Sequence, residues 1–172
     1  MDRWTELALR ARDGDQRALA ELVGISQHDV RTVCTHLGDP DTVDDLVQDT
    51  YFRAFRSLPG FRNEGSARSW LLTIARHTCA DATRRRIRSR RRTSVAEVPE
   101  VAATDERWTE VDELVGRLDD DRREAFVLTQ LVGLPYAEAA EVCGCPVGTI
   151  RSRVARARAD LLAALDDADT GS

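Results

Sequence analysis

The chain has 172 residues, 30 of them acidic and 25 basic, for a net charge of −5, with only 5% aromatic residues. That length allows one domain or two small ones, and cores of that size suit helical bundles better than an enzyme with a deep cleft. No apolar run approaches the roughly 20 residues that span a bilayer, and the opening MDRWTELALRARDGD lacks the apolar centre of a signal peptide. A cytoplasmic protein with no membrane insertion is expected.

From the amino terminus, Leu7, Leu9, Ala18, Leu19, Leu22 and Val23 supply the first helical apolar faces, interrupted at Asp13-Gly14-Asp15. Asp39-Pro40-Asp41 marks a turn, and Thr42 is placed as N-cap of the helix that follows. In that helix Val43, Val47, Tyr51, Ala54, Phe55 and Leu58 line one side. Asp45, Asp49, Phe52, Arg53 and Arg56 share another, with Gln48 beside them, and Pro59-Gly60 ends it. A polar loop, FRNEGSAR, leads to a long helix from about Ser69 to Arg86, with Trp70, Leu71, Ile74 and Ala75 on its core side. Arg76, His77, Arg84 and Arg88 form a basic stripe along it, suited to phosphates.

The charge then changes sign. Seven of the nine residues 84–92 are arginine, whereas Glu97 to Asp121 holds ten acids against Arg107 and Arg117. Every basic residue is arginine and none is lysine, which reads as the codon bias of a GC-rich genome. A protein acidic overall still binds nucleic acid through local basic faces, because screening operates over about 10 Å. The stretch from about Ser94 to Thr109 has little periodicity and reads as a linker. Arg117 to Leu131 reads as one helix.

Leu134 to Leu162 reads as a helix-turn-helix. Pro135 suits a first helical turn, Ala137, Ala139, Ala140 and Val142 continue it, and Gly144 suits a left-handed end. Pro146 starts a second helix in which Val147, Ile150, Val154, Ala157 and Leu161 share one face. Gly148, Thr149, Ser152 and Arg156 fall opposite, flanked by Arg151 and Arg153. An arginine fork binds guanine O6 and N7 bidentately, and small neighbours allow close approach to a major groove. The competing reading is an ordinary amphipathic helix with solvated arginines. Cys34, Cys79, Cys143 and Cys145 contain no CxxC pair and read as small buried thiols, not a zinc site. No strand alternation, phosphate loop or repeat stands out, so the expected architecture is all-α.

Read together, DDLVQDTYFRAFR (44–56), FRNEGSARSWLLTIAR (61–76), DRREAFVLTQLVGLPYAEAA (121–140) and CPVGTIRSRVARAR (145–158) resemble the group 4, or extracytoplasmic-function (ECF), sigma factors of the sigma-70 family. The wording is nearest to the actinobacterial sigma-C-like subgroup, and the resemblance covers essentially the whole chain. It implies two small helical domains: a region 2 bundle at 1–92 for core binding, −10 recognition and melting, and a region 4 helix-turn-helix at 112–166 for the −35 element. A flexible linker at 93–111 joins them, and 167–172 form a tail. The implied partners are core RNA polymerase (through its β′ clamp helices and β flap), promoter DNA and, in some cases, an anti-sigma factor. No cofactor, metal or catalytic residue is implied, since the phosphodiester chemistry belongs to the polymerase.

The same resemblance distributes the residues. Asp45, Gln48, Asp49, Phe52 and Arg56 would dock on the clamp helices. Arg62, Asn63, Glu64, Ser66 and Arg68 would hold an extruded −10 base, at an unstacking cost of about a few kcal/mol. Trp70 either stacks on DNA or belongs to the core. Arg76, His77, Arg84 and Arg85 would follow the −10 backbone, and Gly148, Thr149, Arg151, Ser152, Arg153 and Arg156 would read the −35 groove. His77 stands where many family members carry Asn, and Ala155 where some carry a larger side chain. The acidic linker would thread toward the polymerase active centre or, in the free protein, fold back on Arg84–Arg92 or Arg151–Arg158. A stand-alone helix-turn-helix repressor or activator is the alternative function. A small metal-dependent nuclease is a distant third, with no carboxylate–His cluster to support it.

Overall fold

The structure, a computed structural model, describes residues 1–92 and 109–170; the expectations for the acids from Glu97 to Glu106 lie outside the described residues. Eight α-helices and no strand are present among them. Helix α1 (Arg3–Arg12) is capped by Asp2, which accepts from the Thr5 amide at 3.1 Å. Helix α2 (Gln16–Leu37) is capped by Asp15, whose carboxylate accepts from the Arg17 and Ala18 amides. Helix α3 (Val43–Ser57) begins without the side-chain cap expected of Thr42. Its entry is a 3-10 turn, Pro40–Thr42, closed by Asp39, and the Thr42 hydroxyl donates back to the Asp39 carbonyl at 3.2 Å.

The buried row of α3 is Leu46, Thr50 and Ala54, one step round from the expected face; Val43, Val47 and Tyr51 are half-buried, and Phe55 faces outward. Thr50 is tolerated inside because its hydroxyl donates to the Leu46 carbonyl at 2.7 Å. Helix α4 (Ala67–Arg92) runs six residues past Arg86. Arginine is a good helix former, and Asp39 and Asp81 pair with Arg86 and Arg84 on the way out.

A helix not foreseen, α5 (Glu110–Gly116), opens inside the stretch read as linker. Thr109 and Asp112 form a reciprocal capping box there, which satisfies two amides at once. The single helix expected over 117–131 is instead α6 (Asp120–Phe126) followed by a π turn, Val127–Leu131. Helix α7 (Tyr136–Cys143) ends at Gly144, whose φ of 64° is the left-handed cap the sequence suggested. Pro135 stands one position earlier than expected, at the N-cap. Helix α8 (Val147–Thr170) continues through residues 167–170, read before as tail.

The expected domains are not packed separately. Val30, Val33, Leu72 and Ala75 of the first half share one continuous core with Val115, Ala125, Leu128, Leu134 and Ala139 of the second. A smaller core of Leu7, Leu22, Leu58 and Phe61 lies under α1. At the corner after α2, Gly38 allows a close approach: a Cβ there would stand 2.3 Å from Leu46 Cδ1 and 2.7 Å from the Cys34 carbonyl. Gly38→Ala should therefore destabilise the chain by about 1–3 kcal/mol through overpacking. Urea denaturation checks this, and an unchanged midpoint would mean that the corner yields freely.

Candidate nucleic-acid interface

Helix α8 buries Ile150, Val154 and Ala157 against α6 and α7 and turns the opposite side outward. Gly148, Arg151, Ser152 and Arg156 are exposed, and Thr149 and Arg153 half-buried. The Ser152 hydroxyl donates to the Thr149 carbonyl at 3.0 Å, as helix-borne serines do when unliganded. Arg153 is committed elsewhere: Nη2 reaches Asp121 of α6 at 2.9 Å, and Nη1 lies 3.8 Å from Cys145 Sγ. Arg158 likewise donates to Gln130 at 2.6 Å.

The loop before α4 builds a recess of about 310 Å³. Phe61, Arg62, Glu64, Gly65, Ser66 and Trp70 line it, and Glu141 of α7 closes one side. Asn63, exposed at the tip, has φ +57°, the left-handed region. Asn enters that region more readily than most residues, and such conformations cluster where a loop must present its backbone. The Ser66 carbonyl accepts from the Trp70 amide at 3.0 Å, so Ser66 belongs to the first turn of α4. Trp70 is half-buried with its ring 5.2 Å from that of Phe61. It packs against the core while forming a wall of the recess.

On α3, Asp45, Gln48, Phe52 and Arg56 are exposed, with the Arg56 guanidinium 5.6 Å from the centre of the Phe52 ring. Phe52 is 59% exposed and Phe55, which the sequence reading assigned to the core, is 42% exposed. The two form one apolar patch at helical spacing, the kind of surface that marks a protein contact. Asp49 is half-buried and pairs with Arg53 at 3.1 Å.

Two other candidates, and Ser69 with them, are engaged by the second half of the chain. Arg68 donates from Nε to Asp29 and from Nη2 to the Val132 carbonyl, both at 2.8 Å. Arg76 Nε lies 3.0 Å from Glu124 of α6, in a buried ion pair whose alignment misses hydrogen-bond geometry. Ser69, beside the recess, donates to Glu138 of α7 at 3.0 Å. Sequence reasoning missed Glu124, Glu138 and Glu141, each a single acid that meets the first half only in the folded chain. His77 stays exposed, and Arg84 and Arg85 are drawn toward Asp81 and Asp49.

Cys34 and Cys79 are buried as expected, whereas Cys143 and Cys145 are only half-buried; burial raises the Cys143 thiol to about 12. No cluster of metal-ligating residues occurs among the described residues, and no described helix is long and apolar enough to cross a membrane.

Residues 25–93 match the family described as Sigma-70 region 2, and residues 108–161 that described as Sigma-70, region 4. The chain is 49% identical to the ECF RNA polymerase sigma factor SigC of Mycobacterium tuberculosis, covering 92% of this chain and 89% of that one. It is 35% identical to the RNA polymerase sigma factor CnrH of Cupriavidus metallidurans, covering 93% of each. The structure of CnrH in complex with the cytosolic domain of CnrY matches with a TM-score of 0.77 at 33% identity, over 96% of this chain and 99% of that one. The sigma factor RpoE in complex with the anti-sigma factor NepR from Bartonella quintana matches with a TM-score of 0.74 at 30% identity, over 86% and 96%.

The contact between the halves carries a titratable group. The His36 side chain is 9% exposed, 3.5 Å from Asp112 of α5. Burial lowers its pKa below the ordinary 6.5, Asp112 opposes that and Arg123 adds to it. If the halves part, the imidazole regains its ordinary value, so the parted form binds more protons. Closure is therefore strongest above pH 6.5 and weakens as pH falls through that value. Fluorescence energy transfer between dyes on α1 and the end of α8 should drop on acidification, and less so in His36→Gln. An identical pH response in both proteins would assign the effect to other groups.

Proposed function

Since the chain belongs to the extracytoplasmic-function sigma factors of the sigma-70 family, we propose a division of its surfaces between promoter and polymerase. It is an alternative sigma factor that joins core RNA polymerase and directs transcription initiation at promoter DNA. In the proposed division, α8 enters the −35 major groove, and the 61–70 loop and α4 hold melted −10 DNA. Helix α3 docks on the β′ clamp helices through Phe52 and Phe55, with Asp45, Gln48, Asp49 and Arg56 setting orientation. The observation that carries the reading is α8 itself: buried Ile150, Val154 and Ala157 behind an outward Gly148, Arg151, Ser152 and Arg156. The protein is read as non-enzymatic and cytoplasmic, with bond formation left to the polymerase. An anti-sigma partner like those bound to the relatives of known structure belongs to the same proposal.

The closed arrangement must open for this work. The −35 and −10 elements are about 25 base pairs apart, roughly 85 Å along the duplex. A compact chain of this length is only about 40 Å across. Arg68, Arg76 and Ser69 are moreover covered by the second half. Polymerase docking would then separate the halves and uncover the −10 surface.

Co-purification with core polymerase and run-off transcription from a two-element promoter test the function directly; a chain that binds duplex DNA alone without forming holoenzyme would be a repressor or activator instead. For the −35 contact, Arg151→Ala or Arg156→Ala should cost about 1–3 kcal/mol and relax specificity at one base position. Unaltered promoter selection when Arg151, Ser152 and Arg156 are all alanine would remove α8 from the groove. For melting, Asn63→Ala with Ser66→Ala should reduce open-complex formation on duplex promoters, and pre-melted templates should rescue most of the loss, because unstacking is already done. Equal permanganate reactivity on duplex and bubble templates would take the loop out of the mechanism.

A further inference from the structure

Five charged side chains alternate in sign where α3 meets α4. One carboxylate oxygen of Asp81 accepts from Arg53 Nη1 at 2.7 Å, and the other accepts from Arg84, one turn further along α4. Arg53 Nη2 also reaches Asp49 at 3.1 Å. Asp49 lies 3.9 Å from Arg85 Nη2, and Arg85 Nε donates to the Asp81 carbonyl at 3.4 Å. The network therefore joins a residue placed at the polymerase contact, Asp49, to two placed on −10 DNA, Arg84 and Arg85. Asp81, at its centre, belongs to neither set.

We propose that Asp81 is a positioning residue for −10 recognition, holding Arg84 along α4 so that it reaches DNA phosphate only when the promoter's own contacts are in place. The reason is the composition of this helix. Seven arginines in the nine residues 84–92 would take any phosphate offered, and phosphate contacts carry no sequence information. A carboxylate already seated on Arg84 must be displaced before a phosphate can take its place. Random duplex offers only the phosphate in exchange, whereas a melted −10 element also fills the recess beside Trp70. Asp81 thus lowers the affinity for DNA that offers phosphate alone, and the filled recess lets the correct DNA bear that cost. The two guanidiniums hold its carboxyl at a pKa of about 2, so it stays ionised across the working range. Arg53 keeps Asp49 if Asp81 is neutralised, so the single cation released is Arg84.

The inference rests on the placement of −10 DNA along α4, and the experiment separates the two. Holoenzymes carrying wild-type, Asp81→Asn, Arg84→Ala and doubly substituted sigma are titrated with labelled promoter duplex and a −10-scrambled duplex across a salt series. Asp81→Asn should bind the scrambled duplex several-fold tighter at low salt and steepen its slope of log K against log salt by roughly one unit, because one more cation is free for phosphate. Adding Arg84→Ala should return the slope to the wild-type value, and Asp81→Glu, which keeps the charge, should stay near wild type throughout. Wild-type slope and scrambled-duplex affinity in Asp81→Asn, with promoter binding weakened by Arg84→Ala, would make Asp81 a mere strut between helices and overturn the proposal. If Arg84→Ala also left promoter binding unchanged, the placement of DNA on α4 would fall and take the proposal with it.

Discussion

The guanidinium of Arg68 reaches Asp29 through Nε and the Val132 carbonyl through Nη2, and it lies 5.6 Å from the centre of the Trp4 ring. One side chain thus ties α1, α2 and α4 to the turn that follows the π segment of the second half. Apolar burial supplies most of the attraction between the halves, but it is non-directional. The Val132 carbonyl supplies direction. It stands at the end of a helical segment, where carbonyls lack an intrahelical partner and carry the negative end of the backbone dipole. A guanidinium satisfies it more strongly than a neutral donor would. With Asp29 only 10% exposed at its side chain, removal of Arg68 would leave both an acid and a carbonyl short of a partner.

In the proposed division of surfaces that arginine also meets −10 DNA, as does Arg76, paired here with Glu124. Neither can serve both partners at once, so under that proposal domain closure and −10 binding compete for the same cations. The competition is graded by geometry. The Arg76–Glu124 pair is buried yet misaligned, and a misaligned pair recovers little of what its desolvation cost. The Ser69–Glu138 bond is a single hydroxyl–carboxylate contact that water can replace. Closure therefore leans on the shared apolar core and on Arg68, while the remaining polar contacts set register at little cost to separation. Glu124 of α6 faces Arg76 in the closed form, on the surface proposed for −10 DNA.

Much of the fold was legible. The left-handed glycine at 144 and the 150–154–157 row announced the helix-turn-helix, because both signals are local and strong. The α3 face was misjudged by one step because its buried row contains Thr50, which a hydrophobicity pattern discards, while Phe55 is apolar and exposed. Helix α5 was hidden by its seven residues and by acidic neighbours that read as linker; its one signal was the Thr109-x-x-Asp112 box. The break after Phe126 was invisible because Val127–Leu131 suits α and π geometry alike. The joining of the halves was not legible at all. Arg68 and Val132 are 64 residues apart, Ser69 and Glu138 are 69 apart, and a backbone carbonyl leaves no mark in a sequence.

The four arginines of α8 between 151 and 158 show how structure sorts residues that a sequence treats alike. At roughly 100° per residue, Arg153 and Arg158 lie about 70° to either side of the buried Ile150–Val154–Ala157 stripe. From there they reach Asp121 and Gln130, and Arg122 meets Asp160 in the same seam at 2.6 Å. These contacts staple α8 to the preceding helical segment and fix the angle at which it is presented. Arg151 and Arg156 lie further round, about 95° and 125° from the stripe, with Gly148 and Ser152 between them. A long cation at each border and small residues at the centre suit the proposed groove contact, in which the backbone would approach base edges with a guanidinium on either side. Arginine is thus used twice on one helix. Close to the buried stripe it acts as a fastener, because an acid or amide is within reach there; far from the stripe it stays exposed, as the proposed groove contact requires.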